Sequence, residues 1–105
     1  MSLRSRADFQ RVSKEGNRAR AGVIALTLAA GGDDLGRSRV GLAVATRSGA
    51  VTRNRIRRRL KEAVRVAAPS RQDLIVRGDD RVLGLPFQEL VENLRSALAR
   101  AEERP

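Results

Sequence analysis

Residues 39–65 read RVGLAVATRSGAVTRNRIRRRLKEAVR. The stretch changes its hydrophobic period midway, and that change decides the fold. Its first seven residues alternate. Val40, Leu42 and Val44 fall on one side of an extended chain, and Arg39, Gly41, Ala43 and Ala45 on the other, as in a half-buried strand. Further on, Ile56, Leu60, Ala63, Val64 and Ala67 recur at the spacing of an amphipathic helix. Between the two, ATRSGAVT (residues 45–52) reads as a loop, with Thr52 or Asn54 placed to cap the helix. A strand that feeds a helix with one apolar stripe belongs to a sheet with helices packed on it.

The polar positions of that helix are almost all cationic. Thr52 to Arg65 holds Arg53, Arg55, Arg57, Arg58, Arg59, Lys61 and Arg65 against a single acid, Glu62. With Leu60 at the centre of the buried face, Arg55, Arg58, Glu62 and Arg65 point almost directly away at 100° per residue. Arg59 and Lys61 flank them, and Arg57 lies nearer the seam. Like charges crowded together repel, so the cluster reads as a surface for an external polyanion rather than as a device for stability. Asn54 sits at the helix start, where free N–H groups and the positive dipole end receive phosphate. A solvated face held by local salt bridges is the competing explanation, but one acid cannot neutralise seven cations. An amphipathic membrane helix would want larger apolar anchors than Ala63 and Ala67.

Working outward, SRADFQRVSKEG (residues 5–16) reads as a short helix. Ser5 caps it, with Asp8 three residues on; Gly16 ends it, and Phe9 and Val12 share one face. GVIALTLAA (residues 22–30) reads as a buried strand, although its length also admits a helical segment. GGDDLG (residues 31–36) is a turn, and a hairpin between this strand and residues 39–45 is the economical pairing. NRARAG (residues 17–22) is the candidate for a third strand. Pro69 and Ser70 stop the basic helix. DLIVR (residues 73–77) is a short strand, and GDDRVLGLP (residues 78–86) a loop that leaves Pro86 at a favoured first helical position. The last helix covers residues 86–100, with Leu90, Val91, Leu94, Ala97, Leu98 and Ala101 facing the core.

The composition narrows the function. The chain has 105 residues, room for one domain with one modest core, and 41% are hydrophobic. Lys and Arg number 22 against 12 acids, a net charge of +10, which points to nucleic acid or another polyanion. All cations but Lys14 and Lys61 are arginine. A coding bias would explain that ratio, but not the net charge. Arginine grips phosphate with two prongs and stacks on bases, which favours nucleic acid. With no Cys and no His, thiol nucleophiles, imidazole catalysis and His/Cys metal sites are excluded. Asp33–Asp34 and Asp79–Asp80 read as turn residues rather than a metal site. No apolar run is long enough to span a membrane, and MSLRSRADF has no signal-peptide core, so a cytoplasmic protein is the expectation.

Residues 39–65 resemble the signature of the bacterial ribonuclease P protein component, above all in the arginine–asparagine–arginine segment followed by a basic pair. LRSRADFQRVSKEG resembles the family's opening helix, with its R-x-x-x-F-x-x-V pattern, and DLIVR and a last helix of the right length extend the likeness over essentially the whole chain. The resemblance implies an α/β fold (an α+β sandwich) of order α-β-β-β-α-β-α with a left-handed strand–helix–strand crossover, one RNA-binding domain over residues 1–105. It also implies a subunit of an endoribonuclease that removes the 5′ leader of precursor tRNA, in which an RNA subunit with bound Mg²⁺ hydrolyses the phosphodiester and the protein binds no cofactor itself. By position, Arg53, Asn54, Arg55, Arg57, Arg58, Arg59, Lys61 and Arg65 are implied as contacts to the RNA subunit. Phe9, Arg11, Thr46 and Arg47 are implied in a cleft between the first helix and the sheet that holds the single-stranded leader. Four departures stand out: Ser13 replaces the family's second aromatic, Thr46–Arg47 replaces a lysine pair, the stretch after Gly49 is one residue shorter, and Val64 replaces a phenylalanine.

The rival from another class is a non-catalytic structural RNA-binding protein of ribosomal type. A DNA-binding helix module fits less well, because no second helix sits close enough for a helix-turn-helix. Neither a membrane nor DNA is an expected partner. With scattered acids and no imidazole or thiol, the residues assemble no hydrolytic site of their own. The purified protein, free of RNA, should therefore leave precursor tRNA uncut with or without Mg²⁺; robust cleavage at the mature 5′ end would refute that reading.

Overall fold

The computed structural model describes residues 5–31, 36–67 and 72–103. The chain runs α1 (Arg6–Glu15), β1 (Asn17–Ala21), β2 (Ile24–Ala30), β3 (Arg39–Ala45), α2 (Gly49–Ala67), β4 (Gln72–Asp79), a 3₁₀ turn (Asp80–Gly84) and α3 (Phe87–Glu102). The four strands form one sheet in the order β1-β2-β4-β3. The α-β-β-β-α-β-α order implied by the resemblance is the one found, and the candidate strand in NRARAG is β1.

The strand pairing departs from expectation. β2 and β3 do not form a hairpin. β2 pairs antiparallel with β1 on one side and with β4 on the other, and β3 pairs parallel with β4. The cause is burial. Asp73, Leu74, Ile75 and Val76 are all buried, and a strand covered on both faces needs a neighbour at each edge. β4 therefore inserts between β2 and β3, and α2 becomes the crossover that joins the parallel pair. The hairpin is instead β1–β2, closed by Gly22 at φ 55 and Val23 between the paired Ala21 and Ile24. Strand β2 accordingly starts two residues later than the apolar run suggests.

Period-two alternation divides the sheet into two unlike faces. On one, Ala19, Ala21, Ile24, Leu26, Leu28, Leu74 and Val76 join Ile56, Leu60 and Ala63 of α2 and the apolar stripe of α3 in the main core. All six α3 residues assigned to the core are buried. On the opposite face α1 lies alone, with Val12 and Phe9 packed on Ala29, Ala43 and Ile75. Ser5 caps α1 by accepting from the Asp8 N–H at 3.0 Å, and Gly16 ends it.

Two helix starts differ from the sequence reading. α2 begins at Gly49, so Thr52 and Asn54 lie inside the helix rather than at its cap. The Thr46 hydroxyl accepts from the Ser48 N–H at 3.1 Å and Gly49 turns the chain at φ 87; Ala50 and Val51 then offer nothing that breaks a helix. Pro86 is the residue before α3, not its first, while residues 78–79 belong to β4 and residues 80–84 form the 3₁₀ turn. The turn expected over residues 31–36 falls largely outside the described residues, as do Pro69 and Ser70.

Leu60 is fully buried and lies over Gly78, where an added Cβ would come 3.2 Å from a Leu60 methyl and 2.8 Å from Val82. Leu60→Ala should therefore cost roughly 2–4 kcal/mol in a denaturant or thermal melt. A cost under about 0.5 kcal/mol, typical of exposed positions, would mean that the stripe does not anchor α2.

Candidate nucleic-acid interface

Docking α2 by Ile56, Leu60 and Ala63 turns the rest of its circumference to solvent. Arg53, Asn54, Arg55, Arg57, Arg58, Lys61 and Arg65 are exposed. Among the described residues the only acid paired with any α2 cation is Glu62, which bridges Arg65 at 3.4 Å with both side chains largely exposed. Such a pair contributes little, so the surface keeps most of its charge.

Two of the seven cations are also built into the fold. Arg53 donates to the Val44 carbonyl at 3.0 Å, tying α2 to the end of β3. Arg59 is half-buried: it donates to the Leu85 carbonyl, its guanidinium carbon lies 5.9 Å from the Phe87 ring centroid, and its Nε is buried without a hydrogen-bond partner. Arg57, which the helical projection sets nearer the seam, is exposed, and Arg59 takes that place. The buried stripe is centred toward Ile56 and Ala63, because α3 packs on that side, while Val64 is only half-buried. That displacement draws Arg59 inward and leaves Arg57 in solvent.

The residues expected around a leader cleft separate into two places. Phe9 is half-buried with its ring over Gly41, where a Cβ would stand 2.3 Å from Cζ. Arg11 reaches beneath α1 to the fully buried Asp73. Thr46 and the exposed Arg47 lie instead at the far end of β3, around a concavity shared with Arg53, Asp79, Asp80 and Arg81. In that concavity Arg81 folds back on Asp79 with Nε 3.0 Å and Nη2 3.0 Å from the carboxylate. The guanidinium holds the Asp79 carboxyl below its usual range.

Between α1 and the exposed end of the sheet, where the resemblance implies a cleft, runs a groove whose lining residues the sequence reading missed. Ser13, Arg18, Arg20, Ala25, Thr27, Ile75 and Arg77 line it. The register Arg20↔Ala25↔Arg77 sets two arginines on either side of an alanine, roughly 9–10 Å apart across two strand spacings. Arg18 stands beside Thr27 and donates to the Ser13 carbonyl at 3.3 Å. The signal was present as alternation: in NRARA the alanines go into the core and Arg18 and Arg20 to the other face, and in DLIVR Asp73, Ile75 and Arg77 share that face. With Ala25, Thr27 and Ile75 on the floor and Ser13 on the helix, the groove offers cations and small side chains, and Phe9 as its only nearby aromatic.

Among the described residues no three acidic side chains converge. Asp73 and Asp79 are both engaged by arginines. No helix of the described residues is long and apolar enough to cross a membrane. Arg59→Ala should cost about 1–2 kcal/mol of stability, from its charged hydrogen bond and ring contact. Arg58→Ala should stay within about 0.5 kcal/mol. Equal thermal shifts for the two would contradict the division between built-in and free cations.

Three kinds of comparison converge. Residues 1–102 match the family model described as Ribonuclease P. The chain is 39% identical to the ribonuclease P protein component of Gluconacetobacter diazotrophicus, over 97% of this chain and 91% of that protein. It is 35% identical to that of Kocuria rhizophila, over 97% and 92%. Among solved structures it is similar to the RNase P protein of Thermotoga maritima, with a TM-score of 0.77, 26% identity and coverage of 95% and 96%. It also shares the fold of the Staphylococcus aureus RNase P protein, with a TM-score of 0.75 at 24% identity over 95% and 94%.

Proposed function

The chain belongs to the bacterial ribonuclease P protein family, and from that premise we propose that its two cationic faces serve two different RNAs. It is the protein component of an endoribonuclease, and the family implies an RNA subunit as its partner. The observation that carries the proposal is the sidedness of the sheet. α2 presents Arg55, Arg57, Arg58, Lys61 and Arg65 away from one face. Arg18, Arg20 and Arg77 line a groove on the other. A rigid sheet between two like-charged surfaces holds two polyanions apart and in fixed relation.

In this reading the α2 surface, from Arg53 and Asn54 to Arg65, contacts the RNA subunit. Its exposed, unneutralised guanidinium groups suit bidentate phosphate contacts. The groove, with Phe9 at its α1 end, takes the single-stranded 5′ leader of precursor tRNA. Its arginines suit phosphates, and its lack of aromatic platforms beyond Phe9 makes the grip electrostatic and tolerant of sequence. Thr46 and Arg47 extend the cationic rim toward the start of α2. The protein then works by positioning and by screening phosphate repulsion, in the cytoplasm, while the RNA carries the hydrolysis with its own Mg²⁺. The protein supplies no general acid or base: its buried carboxylate is spent on arginines, and it has no imidazole or thiol.

Two variants separate the faces. Arg58→Ala should weaken assembly with the RNA subunit by about 1 kcal/mol or more, and leave unchanged the preference of the assembled enzyme for tRNA with a leader over the same tRNA without one. Arg77→Ala should do the reverse. If both variants weaken only RNA-subunit assembly, the groove does not bind the leader.

A further inference from the structure

Asp73 is the one fully buried charged side chain among the described residues. Arg39 of β3 grips it with two prongs, Nε to Oδ1 at 2.9 Å and Nη2 to Oδ2 at 2.7 Å. Arg11 of α1 donates to Oδ2 from above and lies 3.4 Å from the Ala30 carbonyl at the end of β2. Asp8 and Glu15 of α1 stand at the edge, 3.8 Å from Arg39 and 3.9 Å from Arg11. Gly31 closes over the carboxylate so tightly that a Cβ there would meet Oδ2 at 2.3 Å. One carboxylate thus joins α1 to the ends of all three strands beneath it.

This matters because α1 has little else to hold it. It is a ten-residue helix, with a small apolar contact through Val12 and Phe9 on Ala29, Ala43 and Ile75. A buried carboxylate held by charged hydrogen bonds, by contrast, is strongly directional, because such bonds weaken steeply away from their geometry. α1 is also the wall of the groove whose other side is the sheet carrying Arg18, Arg20 and Arg77. We propose that the Asp73–Arg11–Arg39 cluster is a positioning clamp that sets the height of α1 above the sheet and so fixes the groove to the width of a single RNA strand. The clamp rests on the reading of the groove as the leader site. It also gives Arg11 a role different from direct contact: Arg11 acts through Asp73, on the opposite side of α1's footprint from Arg77. Arg77 lies four residues along β4 from Asp73, roughly 13 Å away.

The test uses the enzyme reconstituted with its RNA subunit. The readouts are the ratio of affinities for tRNA with and without a leader, and the affinity of the protein for the RNA subunit. Charge alone makes Asp73→Asn a tighter leader binder, because the variant removes a negative charge and releases two guanidinium groups near the groove. The clamp requires the opposite: the ratio falls about tenfold, as displaced binding groups do, while RNA-subunit affinity stays within about twofold, as expected for a distant independent surface. A ratio that is unchanged or raised in folded Asp73→Asn overturns the clamp, and so does a parallel fall in RNA-subunit affinity. If Asp73→Asn does not fold, Arg11→Met and Arg39→Met replace it. Both must then lower the ratio, and a fall with Arg11→Met alone marks a direct contact and overturns the clamp. If Arg77→Ala lowers the ratio and Asp73→Asn does not, the groove reading stands and the clamp fails. If neither lowers it, both fail.

Discussion

The insertion of β4 into the middle of the sheet is the constraint on which the rest of the structure depends. It gives β2 its second neighbour and β3 its partner at the sheet edge, and makes α2 a crossover rather than a free arm. It also sends Leu74 and Val76 into the core beneath α2 and α3. The alternate residues Asp73, Ile75 and Arg77 serve the other face as helix clamp, packing surface and groove wall. Eight residues therefore connect the two cationic surfaces.

The local elements were legible because their periods are clean. Ser5 and Gly16 bracket α1, the i, i+4, i+7 stripe of α2 and the six apolar positions of α3 all go where their spacing puts them, and the single strand in DLIVR is real. Pairing was not legible. Sequence proximity favours a β2–β3 hairpin, and only the depth of burial of residues 73–76 gives β4 its central place; burial is a property of the assembled sheet, not of the segment. The start of α2 was misjudged for a different reason. Thr and Asn are good caps in isolation, but a Ser/Thr turn and a glycine with positive φ initiate the helix earlier.

Of the candidate site, the cationic face of α2 could be read from the sequence because charge on a helix is visible as spacing. The groove could not be found by matching motif positions, since Arg18, Arg20 and Arg77 lie on three segments that only the register brings together. The buried role of Arg11 was hidden in the same way, because its partner is sixty-two residues away. Charge count also overstates what is offered to RNA. Arg53 and Arg59 contribute to the cationic field, but their guanidinium groups already hold backbone carbonyls, and Arg59 closes the seam between α2 and α3. Repulsion among the seven cations is thus partly offset within the fold, and the remaining exposed ones make the surface available without rearrangement.

The central claim is that opposite faces of one sheet address two different RNAs. The chain has no cysteine, so a single introduced thiol can carry a photo-crosslinker at a known place. Arg58→Cys would place it on the outer face of α2, and Thr27→Cys in the groove between Arg18 and Ile75. In the assembled enzyme with precursor tRNA bound, recognition by opposite faces predicts that the probe at position 58 crosslinks to the RNA subunit and the probe at position 27 to the 5′ leader. Crosslinks from both positions to the same RNA, or from position 58 to the leader, would contradict it.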